Sequence, residues 1–207
     1  MKKLITVTIL LVLVISCLPG CARRGAAPGT GTPQTQPQGS PTAPDADGES
    51  AGRLTVSFDY EKQSGSGSNQ FAVWVEDDQG QVLETLFATR YTAQGGYEDR
   101  PDSLREWVSR ANPAQMDQAQ LDAISGATPE SGEQEFVFDC VNENGRALEE
   151  GTYRFFVEGT LKMQSSVLYT GTFVIGEGRQ EITPEATYTG EDRPPMIQNV
   201  SAVYEED

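Results

Sequence analysis

From Arg53 onward, apolar and polar residues alternate with a period of two, which is the pattern of half-buried β-strands. In the first such segment, Leu54, Val56 and Phe58 fall on one face and polar residues separate them. The segments that predict strands are 53–60, 70–77, 82–91, 133–140, 152–163, 167–176 and 196–204. We therefore expect strands through most of the chain after Arg53.

The polar segments between these strands contain residues typical of tight turns. EDDQGQ at 76–81 places Asp and Gly between two strand segments, so it predicts a hairpin. NENG at 142–145 and EEG at 149–151 predict two more turns. Short strands joined in this way predict a mainly β fold, an antiparallel β-sandwich over residues 53–204. We expect the last strand, 196–204, to lie at an edge of a sheet.

A helical pattern interrupts the strands at about 102–125, where we expect a short two-helix insertion. In SLREWVSRA, residues 103–111, apolar side chains recur at the spacing of one helix face. Ser103 and Glu106 have the spacing of a capping box, which predicts that the first helix begins there.

The second helix is predicted to begin at Asn112, a residue type that caps helices, with Pro113 in the first helical position. We expect it to end at Gly126 in a left-handed conformation, with Pro129 preventing continuation. The segment DAISGATP, residues 122–129, would then form a surface turn before the next strand.

Residues 1–16 have the features of a bacterial export signal. Lys2 and Lys3 precede an uncharged apolar run that is shorter than the roughly 20 residues of a typical transmembrane helix. Two cysteines follow, and the segments that end at Cys17 and at Cys21 both resemble the lipobox of bacterial lipoproteins. The resemblance implies that one of these cysteines is acylated and anchors the chain to a membrane, facing the periplasm or the cell exterior. A plain secretory signal is the alternative.

Residues 17–52 are rich in Gly, Pro, Thr, Gln and Ser and contain almost no large apolar side chains. Such a composition cannot bury enough surface to fold, so we expect a disordered stalk. This stalk would hold the sandwich domain away from the membrane.

Composition excludes several classes of function. The formal net charge is −16, which argues against a nucleic-acid partner. The chain contains no histidine, which eliminates Ser-His-Asp and Cys-His nucleophiles and the metal sites that depend on imidazole. Cys140 is the one cysteine of the predicted domain, so no disulfide framework stabilises it, and we expect a buried, unreactive thiol.

Long stretches of the chain resemble known bacterial proteins. FAVWVEDDQGQVLETLFATRYTAQGG, RPDSLREWV, DAISGATP and GTYRFFVEGTL together resemble a family of predicted periplasmic proteins of unknown function. VWVEDDQGQVLETL and FDCVNENGRALEEGTYRFFVEG are also similar to the Ig-like domain of flagellar hook capping proteins. The second resemblance implies that the predicted antiparallel sandwich is Ig-like, and it implies no activity, because such folds serve many roles.

A local motif resembles the D-x-x-S-G-A-T pattern of bacterial FMN-binding domains, and it consists of Asp122, Ser125, Gly126, Ala127 and Thr128. The resemblance implies that a flavin transferase joins FMN through its phosphate to the Thr128 hydroxyl. Small neighbours would leave that hydroxyl accessible, and Asp122 would orient or activate it. In those domains a helix usually follows the motif, whereas here a strand is predicted. The alternative interpretation is that residues 122–129 only terminate a helix and carry no cofactor.

Two hypotheses follow from the sequence. The first is an extracytoplasmic accessory lipoprotein that carries electrons on FMN attached to Thr128 and works with a flavin transferase and envelope redox proteins. The second is a non-redox Ig-like module that binds or supports other envelope proteins. An enzyme is less favoured than either, because no motif for a nucleophile or for paired carboxylates is present.

Overall fold

A computed structural model describes residues 50–64, 69–162, 165–190 and 196–207. The predicted signal peptide, Cys17, Cys21 and the stalk up to residue 49 lie outside the described residues. The strands are β1 (Arg53–Tyr60), β2 (Gln70–Glu76), β3 (Val82–Thr89), β4 (Ser125–Gly126), β5 (Gly132–Phe138), β6 (Gly151–Lys162), β7 (Ser165–Ile175), β8 (Gln180–Ile182), β9 (Glu185–Thr189) and β10 (Ile197–Glu205). The helices are α1 (Tyr97–Asp99), α2 (Arg105–Ala111) and α3 (Gln118–Ile124), with a π-helical turn at Thr92–Gly96 and a 3₁₀ turn at Pro113–Gln115.

The strands form two sheets, which confirms the predicted mainly β sandwich. One sheet has the order β5-β1-β10-β8, and the other has the order β4-β3-β2-β6-β7-β9. The predicted hairpin between β2 and β3 is present as an antiparallel pair. Three short strands, β4, β8 and β9, have no counterpart in the predicted pattern.

One expectation about the sheets was wrong. The last strand does not lie at an edge, because β10 pairs with β1 on one side and with β8 on the other. The predicted antiparallel sandwich also includes one short parallel pair, β3 and β4, with Ala88 opposite Ser125 and Thr89 opposite Gly126. A two-residue strand is too short to produce a periodic signal in the sequence.

The principal core lies between the two sheets and is rich in aromatic rings. Phe58 of β1 meets Phe71 of β2 edge to face, with ring centroids 5.6 Å apart. At the other end of the core, Phe173 of β7 lies 5.4 Å from Tyr204 of β10. These contacts join one sheet to the other. The predicted inward faces of 53–60 and 70–77 are therefore the faces that are buried.

Strand β2 is buried on both faces, and the helical insertion accounts for the second one. Ala72 and Trp74 point away from the principal core and form a second apolar cluster with Leu104 and Trp107 of the insertion. Phe156 of β6 stacks on Trp74 with centroids 4.9 Å apart. The insertion thus covers the outer face of the six-stranded sheet.

The first helix of the insertion begins two residues later than predicted. Leu104 has a left-handed backbone conformation with φ of 48°, and it precedes α2 without a side-chain cap. The capping box of Ser103 and Glu106 is therefore absent. The Ser103 hydroxyl instead lies 2.7 Å from the hydroxyl of Thr92. This contact joins the residues just before α2 to the π-helical turn that begins at Thr92.

The second predicted helix is divided into two elements. After the 3₁₀ turn the backbone becomes extended at Met116, and Asp117, not Asn112, caps α3. The Asp117 carboxylate accepts a hydrogen bond from Gln120 N, and the Gln120 side chain accepts one from Asp117 N. This reciprocal pair is a capping box, so the local signal for α3 was present in the sequence five residues past the proposed start at Asn112.

Glu76 is the buried charge that fastens α2 to the sheet. Its side chain is fully buried, and Oε2 lies 3.0 Å from Nη1 of Arg110 on α2. Trp74 Nε1 donates to Glu76 Oε1 at 2.8 Å, and Arg154 Nη2 lies 3.8 Å from Oε2. Removing any one of these partners would destabilise the folded state, because the buried charge of Glu76 would then be left uncompensated.

Glu158 of β6 makes a second polar attachment to the same helix. Its carboxylate accepts hydrogen bonds from Glu106 N at 3.2 Å and from Trp107 N at 2.8 Å. Burial raises the pKa of Glu158 to about 7, and the two backbone hydrogen bonds oppose that rise only in part. Glu106 raises the pKa further, whereas Arg105 lowers it.

The folded unit extends past the predicted boundary at Arg53. Ser50 Oγ donates to the backbone oxygen of Gly52 at 2.7 Å and also contacts the backbone oxygen of Asp139. Tyr204 Oη donates to Ala51 O at 2.6 Å. Residues 50–52 therefore pack on the sandwich, although their composition resembles that of the predicted stalk.

We expect Glu158→Gln to change how stability depends on pH. The folded state holds the Glu158 proton up to a pH of about 7, whereas the ordinary glutamate pKa is 4.5, so the free energy of unfolding falls as pH rises between these values. Glutamine cannot ionise and can still accept from the two backbone N–H groups. Relative to wild type, the variant should gain on the order of 2–3 kcal/mol across this window in urea unfolding. Parallel pH profiles for the two proteins would contradict the assignment.

Candidate functional site

The five residues of the D-x-x-S-G-A-T motif lie where the helical insertion returns to the sheet. Asp122 is in the last turn of α3, which ends at Ile124. Ser125 and Gly126 form β4 at the edge of the six-stranded sheet, beside β3. Ala127 and Thr128 follow directly. The structure thus places the motif on a short stretch of chain that is held at both ends, by α3 and by the sheet.

Gly126 does not end a helix in a left-handed conformation, contrary to expectation. It lies in β4, and its φ is not among the positive values of the described glycines. Glycine is required at position 126 for a different reason: a Cβ there would overlap the ring of Phe87. Phe87 stacks on Phe71 with centroids 4.8 Å apart, so the ring cannot easily move aside.

Asp122 is exposed and engaged by two amide side chains. Its Oδ1 accepts hydrogen bonds from Gln118 Nε2 at 2.8 Å and from Gln94 Nε2 at 3.1 Å. The contact with Gln94 joins α3 to the π-helical turn that follows β3. Asp122 therefore fixes the position of that turn as well as lying within the motif.

The Ser125 hydroxyl is buried and has no hydrogen-bond partner among the described residues. A hydroxyl in this condition costs roughly 1–3 kcal/mol relative to a satisfied one. Alanine or glycine would avoid that cost in the same backbone conformation. The presence of an orphaned hydroxyl donor three residues before Thr128 is the feature of this site that packing does not explain.

Thr128 is half-buried, and Ala127 beside it is exposed. Within the described residues no hydrogen bond occupies the Thr128 hydroxyl. Beyond it, Ser131 Oγ accepts from Lys62 N at 3.0 Å, and Glu130 pairs with Lys62 at 3.0 Å. The surface turn expected over residues 122–129 is therefore wrong in part, because Asp122–Ile124 are helical and Ser125–Gly126 form β4. Only the residues after Gly126 form a loop, and its far end is attached to the chain that leaves β1.

A shallow pocket of about 330 Å³ lies directly beyond the end of β3, and the sequence analysis missed it. Its lining residues are Arg90, Tyr91, Gln94, Gly95, Gly96 and Asp99. Gly95 has φ of 97°, which favours glycine, and a Cβ on Gly96 would overlap the ring and backbone of Tyr91. The two glycines in TAQGG were the available sequence signal for this close-packed turn.

A buried polar cluster holds the chain on which this pocket is built. Gln70 Oε1 accepts from the hydroxyl of Thr89 at 2.7 Å, and from Thr92 Oγ1 at 3.0 Å and Thr92 N at 3.3 Å. Thr89 and Thr92 lie on either side of Arg90 and Tyr91. Because both threonines are fixed by the same amide, the two residues between them have little freedom to move.

Other candidate chemistry finds no support in the described part of the chain. There, no group of three or more His, Cys, Asp or Glu side chains is arranged to hold a metal ion. Burial raises the pKa of the Cys140 thiol to about 12, which is consistent with the expected inert side chain. No described helix has the length and apolar character needed to span a membrane.

The fold and the site together define a β-sandwich with a helical insertion that presents an accessible loop at a sheet edge. Residues 52–190 match the family model DUF2271, predicted periplasmic protein, so the chain belongs to this family. The match confirms the expected family of predicted periplasmic proteins of unknown function. No curated protein and no solved structure matches the chain.

We expect Gly126→Val to destabilise the site through the overlap with Phe87. Forcing extra methyl groups into a packed position typically costs about 1–3 kcal/mol, so the free energy of unfolding should fall by that amount in chemical denaturation. Ala127→Val is the matched control, because Ala127 is exposed and its substitution should change stability by less than about 0.5 kcal/mol. Equal effects at the two positions would argue against the contact.

Proposed function

We propose that this protein is an extracytoplasmic lipoprotein that carries FMN covalently on Thr128 and takes part in electron transfer. The observation that carries the proposal is the environment of the motif. The half-buried Thr128 follows Gly126 and Ala127, and the buried Ser125 hydroxyl three residues earlier has no partner among the described residues. A helix stop alone would require neither serine nor threonine here.

The residues at the site suit a phosphate ester on Thr128. Ser125 offers a hydroxyl donor whose hydrogen bond would offset the cost of burying it. Arg90 extends from the parallel neighbour strand just past the position paired with Gly126, and it supplies a cation in a chain of net charge −16. A phosphodiester is anionic, so a nearby guanidinium stabilises it.

The attachment chemistry is a nucleophilic substitution at phosphorus. In a flavin transferase, the Thr128 hydroxyl would displace AMP from FAD, the phosphoanhydride of FMN and AMP. A Thr128 O–P bond would replace the anhydride P–O bond, AMP would be the leaving group, and the hydroxyl proton would pass to a base. Asp122 is the carboxylate that the motif itself supplies for that role. Bound FMN would accept and deliver electrons, while the protein supplies its position and surroundings.

The membrane anchor is the second part of the proposal. Cys17 and Cys21 follow a short apolar run, and the family consists of predicted periplasmic proteins. An exported protein with a cysteine at this point gains a membrane attachment through acylation, for which a pair of acyl chains suffices. An anchored carrier of this kind would exchange electrons with envelope redox proteins.

We expect Thr128→Ala to abolish flavin attachment without unfolding the protein. After co-expression with a flavin transferase, the intact mass of wild type should exceed that of the apoprotein by one FMN less one water. The alanine variant should lack this addition, and its free energy of unfolding should change by less than about 0.5 kcal/mol. Thr128→Ser keeps a hydroxyl and should keep the addition.

Thr172→Ala is the control for this experiment, since Thr172 is an exposed threonine on β7 and should leave the FMN addition intact. Flavin on the Thr128→Ala protein would place the attachment at another residue. A wild type without flavin, alongside a transferase shown to modify a known substrate, would favour the non-redox envelope module.

We expect replacement of both Cys17 and Cys21 by serine to move the protein from the membrane fraction to the soluble fraction. Without a thiol no acyl chain can be attached, and the described residues contain no spanning helix. Fractionation with an antibody against the domain measures this, and the two single variants identify the acylated cysteine. A double variant that stays in the membrane fraction would contradict the lipid anchor.

A further inference from the structure

We infer that the pocket after β3 is the seat of the flavin ring system, with Tyr91 as the surface against which the isoalloxazine stacks. This inference rests on the proposed attachment of FMN to Thr128 and adds a binding site for the part of the cofactor that carries electrons. It draws on Arg90, Tyr91, Gln94 and Asp99, none of which belongs to the D-x-x-S-G-A-T motif.

The first observation is that the motif and the pocket leave the sheet side by side. Because β3 and β4 are parallel, with Thr89 opposite Gly126, both chains emerge at the same end of the sheet. One continues into Arg90 and Tyr91, and the other into Ala127 and Thr128. The hydrogen bond from Gln94 to Asp122 then joins the pocket wall to the motif a second time.

The second observation concerns Tyr91, which is held in place yet left open to solvent. Its side chain is 43% exposed, although the neighbouring Thr89 and Thr92 are fully buried and bonded to Gln70. On the inner side, Gly96 allows the ring to lie against the backbone. A fixed aromatic ring with one open face is suited to stacking on a planar ligand.

The third observation is the chemistry around that ring. The pyrimidine edge of an isoalloxazine offers two carbonyl acceptors and one N–H donor. The pocket offers the Arg90 guanidinium and the Gln94 amide as donors, and the Asp99 carboxylate and the Gln94 carbonyl as acceptors. The pocket of about 330 Å³ is shallow and open to solvent, so it would cover one side of a planar ring system and leave the other side exposed. Such a site suits a ligand that a covalent bond already holds close by.

The test uses flavinylated full-length protein in which Tyr91→Leu removes the ring. Tyrosine stacked on isoalloxazine quenches its fluorescence, so the leucine variant should show a several-fold rise in flavin emission per attached FMN and a greater sensitivity to quenching by acrylamide. Tyr91→Phe retains a flat ring and should retain protection from acrylamide. Intact mass establishes the amount of attached flavin in every sample.

Tyr188→Leu is the matched control, because Tyr188 is 37% exposed on β9 at the opposite edge of the same sheet. It should leave emission and acrylamide quenching as in wild type. Full flavinylation with identical fluorescence in wild type and Tyr91→Leu would overturn the stacking site while leaving attachment at Thr128 intact. Wild type without flavin by mass would overturn both.

Discussion

The helical insertion depends on one buried carboxylate. Glu76 lies on the outer face of the six-stranded sheet, fully buried, and it is held by the Trp74 indole and by Arg110 of α2. The buried charge of Glu76 is tolerated only while α2 stays in contact with the sheet, since an isolated buried carboxylate is strongly unfavourable. The apolar packing of Trp107 on the sheet and the ion pair therefore require the same arrangement of α2.

That arrangement positions the candidate site. The insertion leaves the sheet at the end of β3 and returns beside it at β4, so its two ends are neighbours in the sheet. Between them, α2 is fixed through Glu76 and Glu158, and the turn after β3 is fixed through Gln70. The loop carrying Thr128 therefore begins from elements whose positions are fixed by these contacts. Catalytic and binding loops commonly need such a frame, because small displacements weaken the interactions they make.

The sequence predicted the strands well where one face is buried, because alternation then reports the core directly. It failed where burial was two-sided: Ala72 and Trp74 are covered by the insertion, which the pattern of β2 alone could not reveal. The start of α2 was misplaced because Ser103 contacts Thr92 of the preceding turn instead of capping the helix. The start of α3 was misplaced although its capping box, Asp117 and Gln120, is a local pattern. The motif residues were found by type and spacing. The pocket at Tyr91 was missed because its lining is assembled by a turn with few distinctive residues.

The pairing of β1 also sets the end of the sandwich at which the candidate site lies. Arg53 begins β1 beside Asp139, whereas Tyr60 ends it opposite Gly132, close to the loop that carries Thr128. Eight residues of extended strand separate the two ends by roughly 25 Å. The chain before Arg53 is therefore joined to the sandwich at one end of β1, and the loop that carries Thr128 lies near the other end. A change at the start of β1 would have to act through the length of the sheet to reach that loop.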